Sequence, residues 1–388
     1  MAFWHKSKNF LYGYAMLTGT IIGVGIFSLP FITVRIGFPI VLAYFLLLGA
    51  VVAVIHIFWG EVQTKTKGHH RLSGMAKIYL GNSWSKLALI SNIGGLFGAI
   101  VAYLVVGSEF LYTLLDHYLG GGQASYAIIY CFLGAMLVWL GAKAIARLEV
   151  AGIFALILVL ILILVKAIGH LDFNNLAISA DNGRNLFLPY GAVLFSLWGA
   201  SALPEVRDIL GRNKKQLRLV IVCSIISAVA VYFVFIALVV GLTGAKTTES
   251  ALSGLNEIFG AEMGALLLML GIITTFTSHV SLSLALKRVL IYDVKMAGLT
   301  AWFLAAILPV GFYFVGLNDF IKIISFVGAI MLAVDGIVII LMYNKAVPSK
   351  KRPAKIIATV LIMALLAGIV YEGWQPAGPA GVSHASKL

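Results

Sequence analysis

Eleven apolar runs follow one another along the chain, most of them close to the ~20 residues that a helix needs to cross a hydrocarbon core. They cover residues 12–30, 39–60, 87–108, 124–145 and 150–168, then 186–209, 217–242, 263–286, 299–317, 320–342 and 356–371. Lipid offers no hydrogen bonds, so a spanning segment must satisfy its backbone within the protein, which leaves helices or a closed barrel. Runs of this length read as helices, and the chain reads as an all-α polytopic membrane protein. At 61% hydrophobic and 11% charged residues, it has too little polar surface for a soluble fold, and no stretch between the runs is long enough to hold a soluble domain.

The net charge of +13 would point to nucleic acid in a soluble protein, so its placement decides its meaning. With the N-terminus in the cytoplasm, all but six of the 28 lysines and arginines fall on the cytoplasmic side, the six being Arg35, Lys166, Arg184, Lys246, Lys322 and Lys387. This is the bias of the positive-inside rule. The basic balance therefore reports orientation, the bilayer is the partner, and nucleic acid drops out. An odd number of spans puts the C-terminus outside. No cleavable signal peptide is expected, because the first run lacks a small-residue cleavage site. Cys131 and Cys223 lie in apolar runs and read as thiols without a disulfide or metal role. Ser386-Lys387-Leu388 has the form of a peroxisomal address, or is a chance ending to a tail of small residues. A plasma-membrane location is the expectation.

Two runs are interrupted. The first contains Gly19-Thr20-Ile21-Ile22-Gly23-Val24-Gly25-Ile26-Phe27-Ser28-Leu29-Pro30, with three glycines where lipid demands a continuous helix. An opened backbone there would offer the N–H groups of Gly23 and Gly25 to a carboxylate and the carbonyls of Gly19 and Ile22 to a cation. The other account is a helix contact of the GxxxG type, through Gly19 and Gly23. The sixth run carries Ser196, Gly199, Ala200 and Ser201 at mid-depth, followed by Leu203-Pro204 as Leu29-Pro30 follows the first cluster. Interruptions at matching positions five spans apart point to an inverted repeat with a binding site at the midplane. The expected organisation is a cytoplasmic N-terminus (1–11), a first repeat (12–168), a second repeat (186–343), an eleventh span (356–371) and an outer tail (372–388).

These residues carry a resemblance. The first run resembles the opening helix of the amino acid/auxin permease family and of its bacterial hydroxy/aromatic amino acid permease relatives, within the amino acid–polyamine–organocation superfamily. Leu203-Pro204-Glu205-Val206, the stretch from Gly241 to Gly244 with Thr247 to Ala251, and the run Thr277-Ser278-His279 into Lys287 are similar as well. The resemblance implies a leucine-transporter-like fold of five plus five spans, broken in spans 1 and 6, with an eleventh span added. It implies alternating-access uptake of amino acids, coupled to protons or sodium, by a protein that works as a monomer.

The resemblance also suggests roles for single residues. Thr274, Thr277, Ser278 and Ser281 already make one polar stripe by their spacing. The resemblance implies that Thr277, Ser278 and the Thr274 carbonyl face the carbonyls of Gly19 and Ile22 around a sodium ion. Hydroxyls bonded to their own helix carbonyls are the alternative. Ile26 stands where members with a second sodium site carry an amide, so that second site is not expected.

Substrate is expected between residues 20–25 and 195–201. The Gly23, Val24 and Gly25 amides would take its carboxylate, beside Thr20. The carbonyls of Ile21 and Phe195 and the Ser196 hydroxyl would take its ammonium, near Ser201. Trp198 and Tyr103 would serve as walls.

Three ionisable residues are candidates for moving a proton. Asp335 lies mid-span, where a carboxylate costs ~2.5 kcal/mol or more, and the family has a small neutral residue thereabouts. His279 and Glu109 are the other two. So few fixed charges favour a neutral substrate, aromatic or hydroxylated. The alternatives are a polyamine, nucleobase or organic cation carried by the same fold, or a sensor that binds without transport. No resident cofactor is expected beyond a sodium ion or proton, and no nucleophile or metal constellation suggests an enzyme.

Overall fold

The computed structural model describes residues 2–66, 70–140, 142–181, 185–211, 213–347 and 352–374, and among these only helices and their connections occur. The first half of the chain forms α1 (Ala2–Ile21), α2 (Gly25–Ile36), α3 (Phe38–Lys65), a short α4 (Leu72–Leu80), α5 (Asn82–Leu119), α6 (Gly122–Leu140) and α7 (Ala142–Ala167). The second half forms α8 (Leu188–Leu197), α9 (Leu203–Leu210), α10 (Lys214–Thr243), α11 (Leu252–Phe259), α12 (Ala261–Tyr292), α13 (Gly298–Ala306) and α14 (Leu308–Phe314). It continues with α15 (Phe320–Phe326), a π-helical turn at Val327–Leu332, α16 (Ala333–Ala346) and α17 (Arg352–Trp374). The tail that ends in Ser386-Lys387-Leu388 lies outside the described residues.

Among the described residues, seven helices are long and apolar enough to cross a membrane unaided. Run 150–168 is occupied by the single helix α7, and the remaining three runs by helices in pieces. The pair α1 and α2 bends by 52° at its break. The pair α8 and α9 is separated by Trp198, Gly199 and a 3₁₀ turn at Ala200–Ala202. Proline places several of these joints. Pro189, Pro204 and Pro309 each sit in the first turn of their helix, where the missing N–H would be unpaired anyway. The two Leu-Pro pairs are not equivalent. Pro204 restarts the helix after the second break, whereas Pro30 lies inside α2, beyond the first.

Connections follow local chemistry. Gly37, at φ 100°, turns the chain from α2 into α3. Thr248 accepts the Gly254 N–H at 3.1 Å in the first turn of α11, whereas the Thr247 hydroxyl bonds the Gly244 carbonyl at 2.7 Å.

The halves of the broken helices pair crosswise, first half on second: α1 packs on α9, and α2 on α8. Unbroken helices surround them, with α10 along both α1 and α2, and α3 against α8 and α9. The core runs through Leu17, Ile21, Val24, Ile26, Phe27 and Leu29 of the first broken helix to Leu194, Leu197 and Leu203 of the second, all buried. Leu46, Leu47, Phe132, Trp139, Leu140, Ile161, Val360 and Met363 face outward. So large an apolar exterior suits lipid and would be an association hazard in water.

The tightest crossing joins α8 to the π-helical turn. A methyl group on Gly328 would overlap the Gly191 carbonyl and lie 2.7 Å from its carbon, and one on Gly191 would lie 2.6 Å from the Ser325 Cα. Backbone meets backbone there, so no side chain can rotate away. Gly328→Ala should therefore lower stability by about 1–3 kcal/mol, read as an earlier thermal transition in detergent. Gly298→Ala, which would meet nothing within 4 Å, should leave the transition in place. Equal stability of the two variants would mean that the crossing yields easily.

Candidate functional site

The first break is short. Helical bonding ends with the Ile22 N–H on the Thr18 carbonyl at 2.9 Å, and the Gly23 N–H then turns back to the Ile21 carbonyl at 2.9 Å. The Val24 N–H is taken by the Tyr103 hydroxyl at 2.9 Å. Among the described residues the Gly25 N–H, at the start of α2, meets no acceptor, and the Gly19 and Ile22 carbonyls meet no donor. The break therefore keeps one amide open and, among the described residues, three carbonyls, that of Thr20 being the third because Tyr103 has taken the Val24 N–H. Gly23 is required by Tyr103, since a Cβ there would overlap the tyrosine hydroxyl.

The second break faces the first. A Cβ on Gly25 would overlap the Ser196 hydroxyl and lie 3.1 Å from its Cα, and a Cβ on Gly199 would lie 2.7 Å from Ile21 Cγ1. Glycine on each side thus lets the two helices touch at their interruptions. The groups freed in the second break are met by α3. The Gly199 N–H reaches His56 Nε2 at 3.4 Å, and Trp59 Nε1 donates to the Ala200 carbonyl at 3.1 Å. An accepting Nε2 assigns the proton of neutral His56 to Nδ1, which is buried and meets no partner among the described residues. The His56 ring stands edge-on to Trp198, with centroids 5.4 Å apart.

One side chain joins the two breaks. Tyr232, on unbroken α10 and wholly buried, brings its hydroxyl to 2.8 Å from the Ile21 carbonyl and 2.6 Å from the Ser196 carbonyl. It has one proton for two acceptors, which therefore share it. The Phe45 ring lies 5.6 Å away, centroid to centroid.

The expected substrate residues are thus gathered around the paired breaks, but several of their polar groups are already engaged. The Ile21 carbonyl, assigned to an ammonium, holds Tyr232. The Phe195 carbonyl accepts the Trp198 N–H at 3.3 Å, and the Ser196 hydroxyl bonds Ala192 of its own helix at 2.8 Å. The Thr20 hydroxyl bonds the Met16 carbonyl at 2.9 Å, and both Thr20 and Ser201 are exposed. Aromatic rings border the breaks: Phe27 packs edge-on against Phe110 at 5.4 Å and Phe235 at 6.1 Å.

The span-8 hydroxyls divide. Ser278 neighbours the Tyr103 hydroxyl that holds the first break. Thr277 bonds the Thr274 carbonyl at 3.1 Å and packs against Gly152, where a Cβ would lie 3.2 Å from its own. The Thr274 hydroxyl reaches the Gly152 carbonyl at 3.2 Å and that of Leu270 at 2.9 Å.

The three ionisable candidates lie apart from one another. Glu109 accepts the Ser250 and Ser253 hydroxyls at 2.6 and 2.9 Å, tying α5 to the outer link. His279 is buried between α5 and α6, its Nδ1 3.3 Å from the Ile100 carbonyl and its ring 5.3 Å from that of Tyr130. Asp335, also buried, is bonded by the Ser91 hydroxyl.

Sequence reasoning missed Tyr232, His56 and Trp59. All three lie on long uninterrupted helices, where a polar tip in an apolar run was the available signal. An isolated polar group in lipid needs a partner, but its spacing cannot tell which one.

Comparison with known proteins gives a consistent result. The sequence profile described as the tryptophan/tyrosine permease family matches residues 6–375. The tyrosine-specific transport system 1 of Haemophilus influenzae is 23% identical over 204 residues, covering 52% of this chain and 50% of that protein. The tryptophan-specific transport protein of Shigella flexneri is 22% identical over 245 residues, covering 61% and 58%. The chain thus spans about half the length of the curated relatives it matches. Among solved structures, MhsT in complex with L-phenylalanine aligns with a TM-score of 0.66 at 14% identity, over 93% of this chain and 98% of that one. A manganese transporter of Eremococcus coleocola aligns at 0.68 and 13% identity, over 97% and 90%. At such identities the likeness speaks for the fold, which is leucine-transporter-like.

Tyr232→Phe removes the donor shared by the two breaks, which leaves the buried Ser196 carbonyl without it and the Ile21 carbonyl with the Gly23 N–H alone. Thermal unfolding should show a loss of about 1–3 kcal/mol. Tyr14→Phe, which removes a bond of 2.7 Å to Ser227 at a half-buried position, should lose less. An unchanged transition for Tyr232→Phe would mean that water replaces the hydroxyl.

Proposed function

This chain belongs to the tryptophan/tyrosine permease family, and from that premise we propose that it is a secondary active transporter of aromatic amino acids, working by alternating access. The observation that carries this reading is the meeting of two broken helices, Gly25 against Ser196 and Ile21 against Gly199, inside an all-α membrane fold. An opened backbone at that depth is kept where it binds something. The open Gly25 amide at the start of α2 suits a carboxylate, and the rings of Phe27, Phe110, Tyr103 and Trp198 suit an aromatic side chain.

Neither break holds an acidic residue, so nothing there would match a polyamine. The relatives' substrates, tyrosine and tryptophan by their names, support the same class. In this reading the wider kinship is with the amino acid/auxin permeases, and the protein is a monomer that catalyses no covalent chemistry. The N-terminus is cytoplasmic and the C-terminus outside, as the basic residues require. The coupling ion is a proton or sodium. The open Gly19 and Ile22 carbonyls supply half of a sodium-like site, and Ser278 lies near them through Tyr103.

The test is thermal unfolding of the detergent-purified protein against each amino acid, spermidine and adenine, with and without sodium. A ligand at ~100 times its dissociation constant adds ~2.7 kcal/mol to the folded state. Tryptophan, tyrosine or phenylalanine should raise the transition, and Gly25→Leu should abolish the rise. Stabilisation by spermidine or adenine alone, or by no amino acid in a well-folded sample, would overturn the reading.

A further inference from the structure

The buried acid of span 10 has no role in the paired breaks, yet it is built into the elements that hold them. Asp335 is 4% exposed, and among the described residues its one hydrogen-bond partner is the Ser91 hydroxyl of α5. Helix α16 packs on α3, α4, α5, α17 and the π-helical turn. The ionisable groups on these elements are engaged elsewhere or stand apart from Asp335. Glu61 of α3 is paired with Arg218, and Lys65 donates to the Ala346 carbonyl. Glu109 of α5 bonds Ser250 and Ser253. His56 of α3 bonds the Gly199 N–H. Lys77 of α4, Lys86 of α5, Lys345 of α16 itself, and Lys355 and Glu372 of α17 make no ion pair with Asp335. Among the described residues no cation pairs with Asp335, and a carboxyl held at this depth without one is a functional group by default.

The pair is arranged to serve both forms of the acid. Ser91 Oγ lies within reach of two acceptors, Asp335 Oδ1 and the Ala88 carbonyl at 3.3 Å. When Asp335 is a carboxylate, the serine hydroxyl donates to it. When Asp335 is a carboxylic acid, its own O–H donates to Ser91 Oγ and the serine proton turns to Ala88. Each form has its hydrogen bond, and only the direction of the chain reverses. A group that must gain and lose a proton in every cycle needs both.

The helices that carry the two partners of this bond each touch a break. Ser91 shares α5 with Tyr103, which holds the Val24 N–H of the first break. The residue after Asp335, Gly336, faces the second, since a Cβ there would lie 3.5 Å from Trp198 Cη2. Between the two helices the surface is smooth. Gly94, Gly95 and Gly98 of α5 lie against Met331, Leu332 and Val327 of the π-helical turn, a widened turn of the kind frequent at functional sites. The Asp335–Ser91 bond is therefore a tie between the helix that steadies one break and the helix that touches the other.

We infer that Asp335 carries the coupling proton of this transporter, with Ser91 as its positioning residue; the inference rests on the transport reading above. The carboxylate takes one proton from the outer face and becomes neutral, amino acid and proton cross together, and the acid returns the proton to the inner face. One zwitterion and one positive charge move inward in each cycle.

The experiment uses the full chain in proteoliposomes and L-tryptophan, L-tyrosine and L-phenylalanine as labelled probes, in sodium-free buffer. An inward gradient of about one pH unit sustains about tenfold accumulation at one proton per substrate. Wild type should approach that ratio, whereas Asp335→Asn should exchange substrate across the membrane with no net accumulation. Glu372→Gln, at the far end of α17 and away from both breaks, should accumulate as wild type does. Ser91→Ala covers the case in which Asp335→Asn does not fold: losing the donor to the carboxylate should move the midpoint of the pH dependence toward alkaline pH. Accumulation by Asp335→Asn equal to wild type, an unmoved midpoint in Ser91→Ala, or wild-type accumulation that requires sodium would each overturn the assignment. Wild type that exchanges none of the probes would instead remove the transport reading itself.

Discussion

Every backbone group opened inside a bilayer must find its partner in the protein, and that requirement organises this molecule. The two broken helices free N–H and C=O groups at mid-depth, and side chains of unbroken helices meet them. Tyr103 of α5 takes the Val24 N–H. His56 and Trp59 of α3 serve Gly199 and Ala200. Tyr232 of α10 bridges Ile21 and Ser196. The long helices are therefore more than a frame. They are why the interruptions are tolerated, and the few groups they leave open, such as the Gly25 amide, are the ones available to a ligand.

The same logic explains where glycine is spent. At Gly23 it admits the Tyr103 hydroxyl, at Gly25 and Gly199 it lets the two breaks touch, and at Gly191 and Gly328 it lets backbone pass backbone. Helices in lipid gain little from hiding apolar surface, so close contact between small residues does the work of holding them together. Sites built from such contacts are also responsive, because a shift of one helix is felt at once by the next. The tie between Asp335 and Ser91 lies in one of these glycine-lined crossings.

The class of fold was legible early. Run length, the positions of the basic residues and the glycine cluster at 19–25 point to a polytopic membrane protein with a broken first helix, and the family match and the shared fold agree with that. The second break was legible as well, from Gly199 to Ser201. Much less of the fine wiring could be read. The Ile21 carbonyl looked free for an ammonium and is held by Tyr232. Thr277 looked like a partner of the first break and packs on Gly152. The Ser196 hydroxyl turned to its own helix, as hydroxyls in apolar helices often do.

The division has a physical cause. Hydrophobic length, glycine content and charge placement act along the chain, within one helical segment at a time, and they alone determined that this protein spans a membrane many times and breaks two of its helices. Which buried hydroxyl, imidazole or carboxyl answers which opened backbone group depends on contacts between residues such as Ile21 and Tyr232 or Ser91 and Asp335, far apart in sequence and brought together by packing. Apolar runs look alike on every face, so the sequence pattern carries no record of which faces meet. Only the tertiary structure decided that.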